Sequence, residues 1–446
     1  MNTPIRDFVT QYCDAQCARL HMPGHKGRGP LGCEALDITE ISGADALYEA
    51  EGIIAESEKN ASALFGSGCT LYSTEGSSQC IRAMLYLALT HAPADGRRPL
   101  CLAAPNAHKA FLFSAALCDF DVAWLEPERR DSICSCDISP QGLKKALEGL
   151  EQAPFCVYVT SPDYLGGQLD IGALARVCHE RGTVLLVDNA HGAYLKFLPG
   201  AHHPMELGAD MCCDSAHKTL PVLTGGAYLH ISQRACARYG ADARRAMALF
   251  GSTSPSYLIL QSLDCANAAL ASDYPRRLEK CCLRITQLRQ LLGSRGFDVL
   301  PSEPCKLTLH TDGLKAAQIL RQGAVECEYA DAAHLVLMFS PENTEADFVR
   351  VERALKSPLP CPQAKPIAYP RPPRAMGIRQ AMFAPSEWIP TCRALGRVCA
   401  APTVSCPPAI PIAISGERIT PWVMAALEEH GIDHICVVQE DDLRNA

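Results

Sequence analysis

Residues Thr183–Val187 (TVLLV) form an almost unbroken apolar run that stops at Asp188. A strand of that composition has no polar face, so it needs cover on both sides, the condition of a parallel sheet wrapped by helices. Neighbouring segments keep the rhythm. Strand-like Leu100–Ala104, Asp121–Leu125 and Phe155–Thr160 alternate with helix-like Lys109–Ala116, Ser139–Glu151 and Ile171–Arg181. Ser139 is a candidate N-cap, with Pro140 in the first turn. Upstream, Glu51–Gly66 has helical apolar spacing, followed by a short strand at Thr70–Ser73 and a helix at Gln79–Thr90. Downstream, Met211–Cys213 and Leu223–Leu229 read as strands, and Asp264–Leu292 as one helix that Pro275 starts or kinks. The predicted class is α/β with a mostly parallel central sheet.

Past residue 295 the pattern changes. Lys306–His310, Cys327–Tyr329 and Leu335–Phe339 read as strands of a second sheet, with helices near Leu314–Gln322 and Thr344–Leu355. The expected divisions are an N-terminal segment 1–50, a large domain 51–295, a smaller α/β domain 296–357, a proline-rich connection 358–373 and a C-terminal unit 374–446. The N-terminal segment is rich in Gly and Pro, and His21-Met22-Pro23-Gly24-His25-Lys26-Gly27 reads as ordered loop.

Composition narrows the function. With 41 basic and 49 acidic residues among 446, the net charge is −8, which excludes a broad basic footprint for nucleic acid. The first twenty residues lack the apolar stretch of a secretory signal, and no apolar run reaches the roughly 18 residues of a membrane span. The 24 cysteines are too dilute for a disulfide scaffold, so a reducing cytoplasm is the expected location. Cys13 with Cys17, Cys134 with Cys136, and Cys212 with Cys213 have no matching distal pairs, so no metal site is expected.

The strongest local signal is Ser215-Ala216-His217-Lys218-Thr219, between two strand-like stretches. Lys218 is either a surface charge on a structured loop or an amine placed to attack a carbonyl cofactor, with Ser215 and His217 near a phosphate. Asp188, at the end of an apolar strand, is either a cap or a ligand-facing carboxylate; metal binding with His191 is the weaker alternative. Gly76-Ser77-Ser78-Gln79 lies between strand and helix, where backbone amides and hydroxyls suit phosphate, although serine also caps ordinary helices. Neither a GxxxxGK[ST] loop nor a GxGxxG turn after a strand is present, which argues against P-loop and Rossmann sites. Asn106-Ala107-His108-Lys109 follows a strand and offers an imidazole, structural or stacked on a planar group. Gly251-Ser252-Thr253-Ser254-Pro255-Ser256-Tyr257 is a hydroxyl-rich turn before a helix.

Taken in order, these strings resemble the pyridoxal-phosphate-dependent ornithine/lysine/arginine decarboxylases of the aspartate-aminotransferase fold (type I). The resemblance runs from His21–Gly27 through Asp37-Ile38-Thr39-Glu40, EKNASALFG at Glu58–Gly66, Gly76-Ser77-Ser78 and Asn106–Lys109. It continues through Ser161–Gly166, Asp188–Ala193, Ser215–Thr219 and Gly251–Tyr257 to Cys406–Pro411 and Gly416-Glu417-Arg418-Ile419. It implies pyridoxal 5'-phosphate, with Lys218 as Schiff-base lysine and Asp188 as pyridinium partner. His108 is expected to stack on the ring, Ala190 to pack on its other side, and His191 to lie near the phenolic oxygen or substrate. Ser77, Ser78, Ser215 and His217 are expected to hold the phosphate. Thr253 or Ser254 is expected to reach it from the partner subunit of a homodimer with shared active sites. Glu417 is the substrate-side candidate, and the N-terminal segment is expected to contribute to the site.

The implied reaction is α-decarboxylation of arginine, lysine or ornithine, with arginine slightly favoured, giving carbon dioxide and agmatine or a diamine. An aminotransferase or aldolase/lyase of the same fold, and a noncatalytic cofactor-binding homologue, are the alternatives. The chain starts close to the HMPGHKG string, so the family's short form without an N-terminal wing domain is expected. Four departures stand out: Glu75 where the family commonly has asparagine, Ser77 and Ser78 for threonines, Ala409 for a usual glycine and Ser415 for a proline.

Overall fold

The computed structural model describes residues 1–94, 96–128, 132–360, 371–402 and 409–440. The proline-rich connection falls largely outside the described residues, as do Cys406, Pro407 and Pro408 of the C-terminal motif. The first part of the chain runs α1 (Pro4–Asp14), α2 (Ile53–Phe65), β1 (Cys69–Ser73), α3 (Ser77–Thr90), β2 (Leu100–Ala103), α4 (Lys109–Cys118), β3 (Asp121–Trp124), α5 (Pro140–Gly149), β4 (Cys156–Thr160), α6 (Ile171–Glu180) and β5 (Val184–Asp188). It continues with α7 (Pro204–Leu207), β6 (Met211–Asp214), α8 (Ala216–Thr219), β7 (Ala227–Ile231), α9 (Gln233–Leu249), α10 (Tyr257–Leu270) and α11 (Tyr274–Ser294). The remainder is β8 (Asp298–Leu300), β9 (Lys306–His310), α12 (Gly313–Gln322), β10 (Tyr329–Ala330), β11 (His334–Met338), α13 (Glu345–Ala354), α14 (Ile378–Phe383), β12 (Ser386–Pro390), α15 (Pro421–Glu429) and β13 (His434–Val438).

Two compact units emerge: residues 1–93 with 171–279, and residues 94–170 with 280–446. In the first, the strands stand in the order β1-β7-β6-β5. β5 and β6 are parallel, whereas β7 runs antiparallel to both β6 and β1. Leu185, Leu186 and Val187 are fully buried, as an apolar run covered on both faces requires. In the second unit β4-β2-β3 are all parallel, and β10-β11-β9-β8 form an antiparallel sheet. β12 and β13 form a separate antiparallel pair. Ile412, Ile419, Val423, Leu427, Ile435 and Val437 build an apolar core in its C-terminal part. This is the expected class: α/β, mostly parallel, with a smaller C-terminal α+β region.

Ser139 caps α5 as expected, its side chain accepting from the Gly142 amide at 3.0 Å. Two expectations change. Residues 223–226 form a turn, closed by the Gly226 amide on the Leu223 carbonyl at 3.0 Å, so the strand expected from Leu223 starts at Ala227. The single helix expected over Asp264–Leu292 is two, α10 and α11, and Pro275 lies in the first turn of the second. The N-terminal segment opens with α1, upstream of the His21–Gly27 loop, and its Ile5 and Arg6 amides donate to Asp264 Oδ2 at 2.9 and 3.0 Å. That carboxylate satisfies helix-end donors from 258 or more residues away.

Candidate active site

The ends of β5 and β6 build the centre of the site in the first unit. β5 delivers Asp188, which is buried, and the chain turns sharply into Asn189-Ala190-His191. Asp188 Oδ1 accepts from the Ala190 amide at 3.2 Å and from the Cys213 thiol at 3.6 Å. Burial pushes the Cys213 thiol well above its ordinary range, so it stays protonated and can donate. β6 ends at Asp214 and runs through Ser215 into α8, which carries His217 and Lys218. Lys218 Nζ donates to His191 Nε2 at 3.2 Å. His191 is buried and Lys218 is solvent-accessible, so the amine is open to a ligand while its imidazole neighbour is held by the fold.

A second cluster suits a phosphate. Gly76, at φ +72°, turns the chain from β1 into α3 in a conformation that favours glycine. It caps the fourteen-residue helix without a side-chain bond to the first-turn amides, a donor set that attracts anions. Ser215 Oγ lies 2.8 Å from Ser77 Oγ, so hydroxyls from the β6 and β1 loops meet there. Ser78 follows on the same half-buried first turn. His217 Nδ1 donates to the Gly226 carbonyl at 2.9 Å, and burial lowers its imidazole, which leaves it neutral near pH 7. Thr219, next to Lys218, has a buried hydroxyl with no hydrogen-bond partner among the described residues. Amine, imidazole and carboxylate on one side, with hydroxyls and a helix start on the other, fit a phosphorylated aromatic aldehyde.

The hydroxyl-rich turn is tied to this phosphate side. Glu75 accepts from the Ser252 amide. Gln79 Nε2 donates to Tyr48 Oη at 2.7 Å and to the Met247 carbonyl at 2.8 Å, while Ser73 Oγ donates to Gln79 Oε1 at 2.6 Å. A Cβ on Gly251 would stand 1.8 Å from Tyr48 Oη, so the turn has no room for a side chain there. Thr253 and Ser254 are exposed on it.

His108 and Glu417 belong to the second unit. His108 is the N-cap of α4, its Nδ1 accepting from the Ala110 amide at 3.1 Å. Glu417 is buried, with Oε2 accepting from the Ile414 amide at 3.0 Å and Oε1 facing Arg371 Nη1 at 3.5 Å. The Arg371 guanidinium lies 3.9 Å over the Trp124 ring. Ala409 has φ +59°, a left-handed conformation that glycine adopts more readily than a residue with a Cβ.

Sequence reasoning passed over Asn189, Asp214, His203 and His230, which form a buried polar cluster behind the β5 and β6 loops. Asp214 directly precedes the Ser215–Thr219 string, and that adjacency was the available signal.

The chain matches the sequence profile described as Orn/Lys/Arg decarboxylase, major domain, over residues 3–310. It is 28% identical to an arginine decarboxylase of Bacillus subtilis, over 94% of this chain and 91% of that protein. It is 27% identical to an uncharacterized protein of the same organism, YaaO, over 94% of this chain and 92% of the relative. Among solved structures, the constitutive lysine decarboxylase of E. coli superposes with a TM-score of 0.78 at 17% identity, over 98% of this chain and 82% of that one.

Proposed function

The chain belongs to the Orn/Lys/Arg decarboxylase family, and from that premise we propose that it converts arginine to agmatine and carbon dioxide, with lysine and ornithine as the competing substrates. It is a pyridoxal-phosphate-dependent amino acid decarboxylase of fold type I, and its relatives are named for basic amino acid substrates. The preference for arginine draws on relatives named arginine decarboxylase that align over nearly their whole length.

The observation that carries the site assignment is the approach of Lys218 Nζ to His191 Nε2 beside the buried Asp188. Pyridoxal phosphate, when bound, supplies the electron sink for the pair released from the Cα–carboxylate bond. Lys218 would supply the amine that holds the cofactor's aldehyde. Asp188 would face the pyridine nitrogen and favour its protonated form, as a fixed charge that costs no reorganisation. The α3 N-terminus, Ser77, Ser78, Ser215 and His217 grip the phosphate. Ala190 would pack on one face of the ring. Lys218 Nζ, or His191 through Nε2, returns a proton to Cα. Thr253 or Ser254 completes the phosphate site of a partner copy in a homodimer. Glu417, in the second unit, is braced by Arg371. The enzyme works in the cytoplasm. Among the described residues, no helix is long and apolar enough to cross a membrane.

The test is a panel assay of the cofactor-loaded protein with arginine, lysine and ornithine, reading carbon dioxide and product mass. Agmatine and carbon dioxide in equal amounts, fastest with arginine, are expected. Cadaverine or putrescine as the main product overturns the arginine assignment, and a keto acid without carbon dioxide marks an aminotransferase. Lys218→Ala is expected to abolish the visible absorbance of the lysine-bound cofactor.

A further inference from the structure

Asp214 is a carboxylate with no exposed surface, and its ion-pair partners among the described residues are two equally buried imidazoles. Oδ2 lies 2.9 Å from His203 Nε2 and 3.2 Å from His230 Nε2, and Oδ1 accepts from Asn189 Nδ2 at 2.6 Å. The candidate ligand atoms of His203, Asp214 and His230 fall within 4.8 Å of one another, close enough to suggest a metal.

The hydrogen bonds point elsewhere. His203 Nδ1 accepts from the Met205 amide at 3.3 Å, so the ring's proton sits on Nε2, facing Asp214. A metal on Nε2 would require that proton at Nδ1, against the amide. His230 Nδ1 lies 2.8 Å from Thr70 Oγ1, itself 2.7 Å from Ser67 Oγ. A relay from Ser67 to Thr70 to His230 leaves Nε2–H of His230 to donate to Asp214 as well. Burial by itself would raise the Asp214 carboxyl; the donors around it outweigh burial and hold it well below the usual carboxylate range.

Asn189 is where this anion meets the active site. It is fully buried, its amide donates to the Cys213 carbonyl at 3.0 Å, and its carbonyl accepts from the Gly192 amide at 2.8 Å. Asp188 precedes it, and Ala190 and His191 follow. We propose that Asp214 is a positioning residue: held by His203 and His230, it clamps the Asn189 carboxamide and so sets Asp188, Ala190 and His191 against the pyridine ring. The inference rests on the decarboxylase reading of the same site and adds a residue that touches neither cofactor nor substrate.

The experiment compares Asn189→Ala, Asp214→Asn and the double variant with wild type. Three quantities are read: cofactor affinity by absorbance titration, the pH at which the visible band of the bound cofactor changes, and apoenzyme melting. Asn189→Ala, which leaves the Asp214–imidazole cluster intact, is expected to weaken cofactor binding roughly ten- to a hundredfold, as outer-shell partners do. It is also expected to move the band's transition pH while the apoenzyme still melts cooperatively. Asp214→Asn should do the same where it folds, and the double variant should be no worse than the poorer single, because both remove one link. Wild-type affinity and an unmoved transition in Asn189→Ala overturn the proposal. So do single effects that multiply in the double variant, or stoichiometric zinc in the purified protein that is lost in His203→Ala. A wild-type protein that shows no visible band with pyridoxal phosphate fails at the earlier step and sinks the decarboxylase reading itself.

Discussion

Asp188 and Lys218, both assigned to the proposed cofactor site, stand in opposite surroundings. The carboxylate is buried under an amide and a thiol, while the amine is open to solvent. A carboxylate in that position acts through fixed charge, so Asp188→Asn is expected to lower kcat by about 10²–10³-fold with little change in apoenzyme melting. Steady-state rates and calorimetry check it, and a loss of only a few-fold removes Asp188 from its proposed role. Ala409 shows a different residue-scale effect. Its φ of +59° is strained for a side chain with a Cβ. Ala409→Gly is expected to stabilise the protein by about 1 kcal/mol, visible as a higher melting temperature; an unchanged or lower value shows that the left-handed conformation is not populated. The residues of the proposed cofactor site stand out in their strings. The strain at Ala409 does not, because φ depends on how the neighbouring elements close around it.

Elements show where pattern reading works and where it fails. The strands β4 and β5 were legible because apolar runs buried on both faces leave no ambiguity. α9 was not anticipated: its buried face is Ala235, Tyr239, Ala243, Ala246 and Met247, mostly small residues among arginines, and carries a weak apolar signal. The interruption between α10 and α11 likewise escaped a reading that joined two apolar stretches across it. Strand pairing sets up the acid response of the first unit. Thr70 on β1 stands opposite His230 on β7, and the pairing brings their side chains together. Burial lowers the His230 imidazole, which is neutral when folded and free to protonate near pH 6.5 when unfolded. Unfolding therefore takes up a proton below that pH: this contribution is full above about pH 6.5 and is lost as pH falls. His230→Gln is expected to flatten the fall in apoenzyme stability between pH 7.5 and 5.5 by up to about 1.4 kcal/mol per pH unit, measured by denaturant titration at several pH values. An equally steep fall in the variant places the acid sensitivity elsewhere.

At the scale of the whole molecule, the proposed sharing of active sites between protomers can be tested by mixing. If Thr253 and Ser254 serve a partner's phosphate, a Lys218→Ala protomer and a Thr253→Arg protomer have complementary defects. Hybrid dimers then contain one site with both defects and one with neither. Two inactive variants, unfolded together and refolded, are expected to regain about a quarter of wild-type activity. No recovery, with hybrid dimers verified by mass, shows that each chain builds its own site.

The order of short strings along the chain, and the chemistry of their side chains, was enough to indicate the fold class and the cofactor. Lysine, aspartate and serine at loop ends after apolar strands carry that information locally. The partnerships behind the site were decided by tertiary structure alone. Asp214 lies 25 residues from Asn189 and 16 from His230, and Asp264 meets Ile5 across 259 residues. Such contacts exist only because β5, β6 and β7 lie side by side and α1 reaches α10. A buried carboxylate in a linear sequence looks like any other until folding shows which donors surround it.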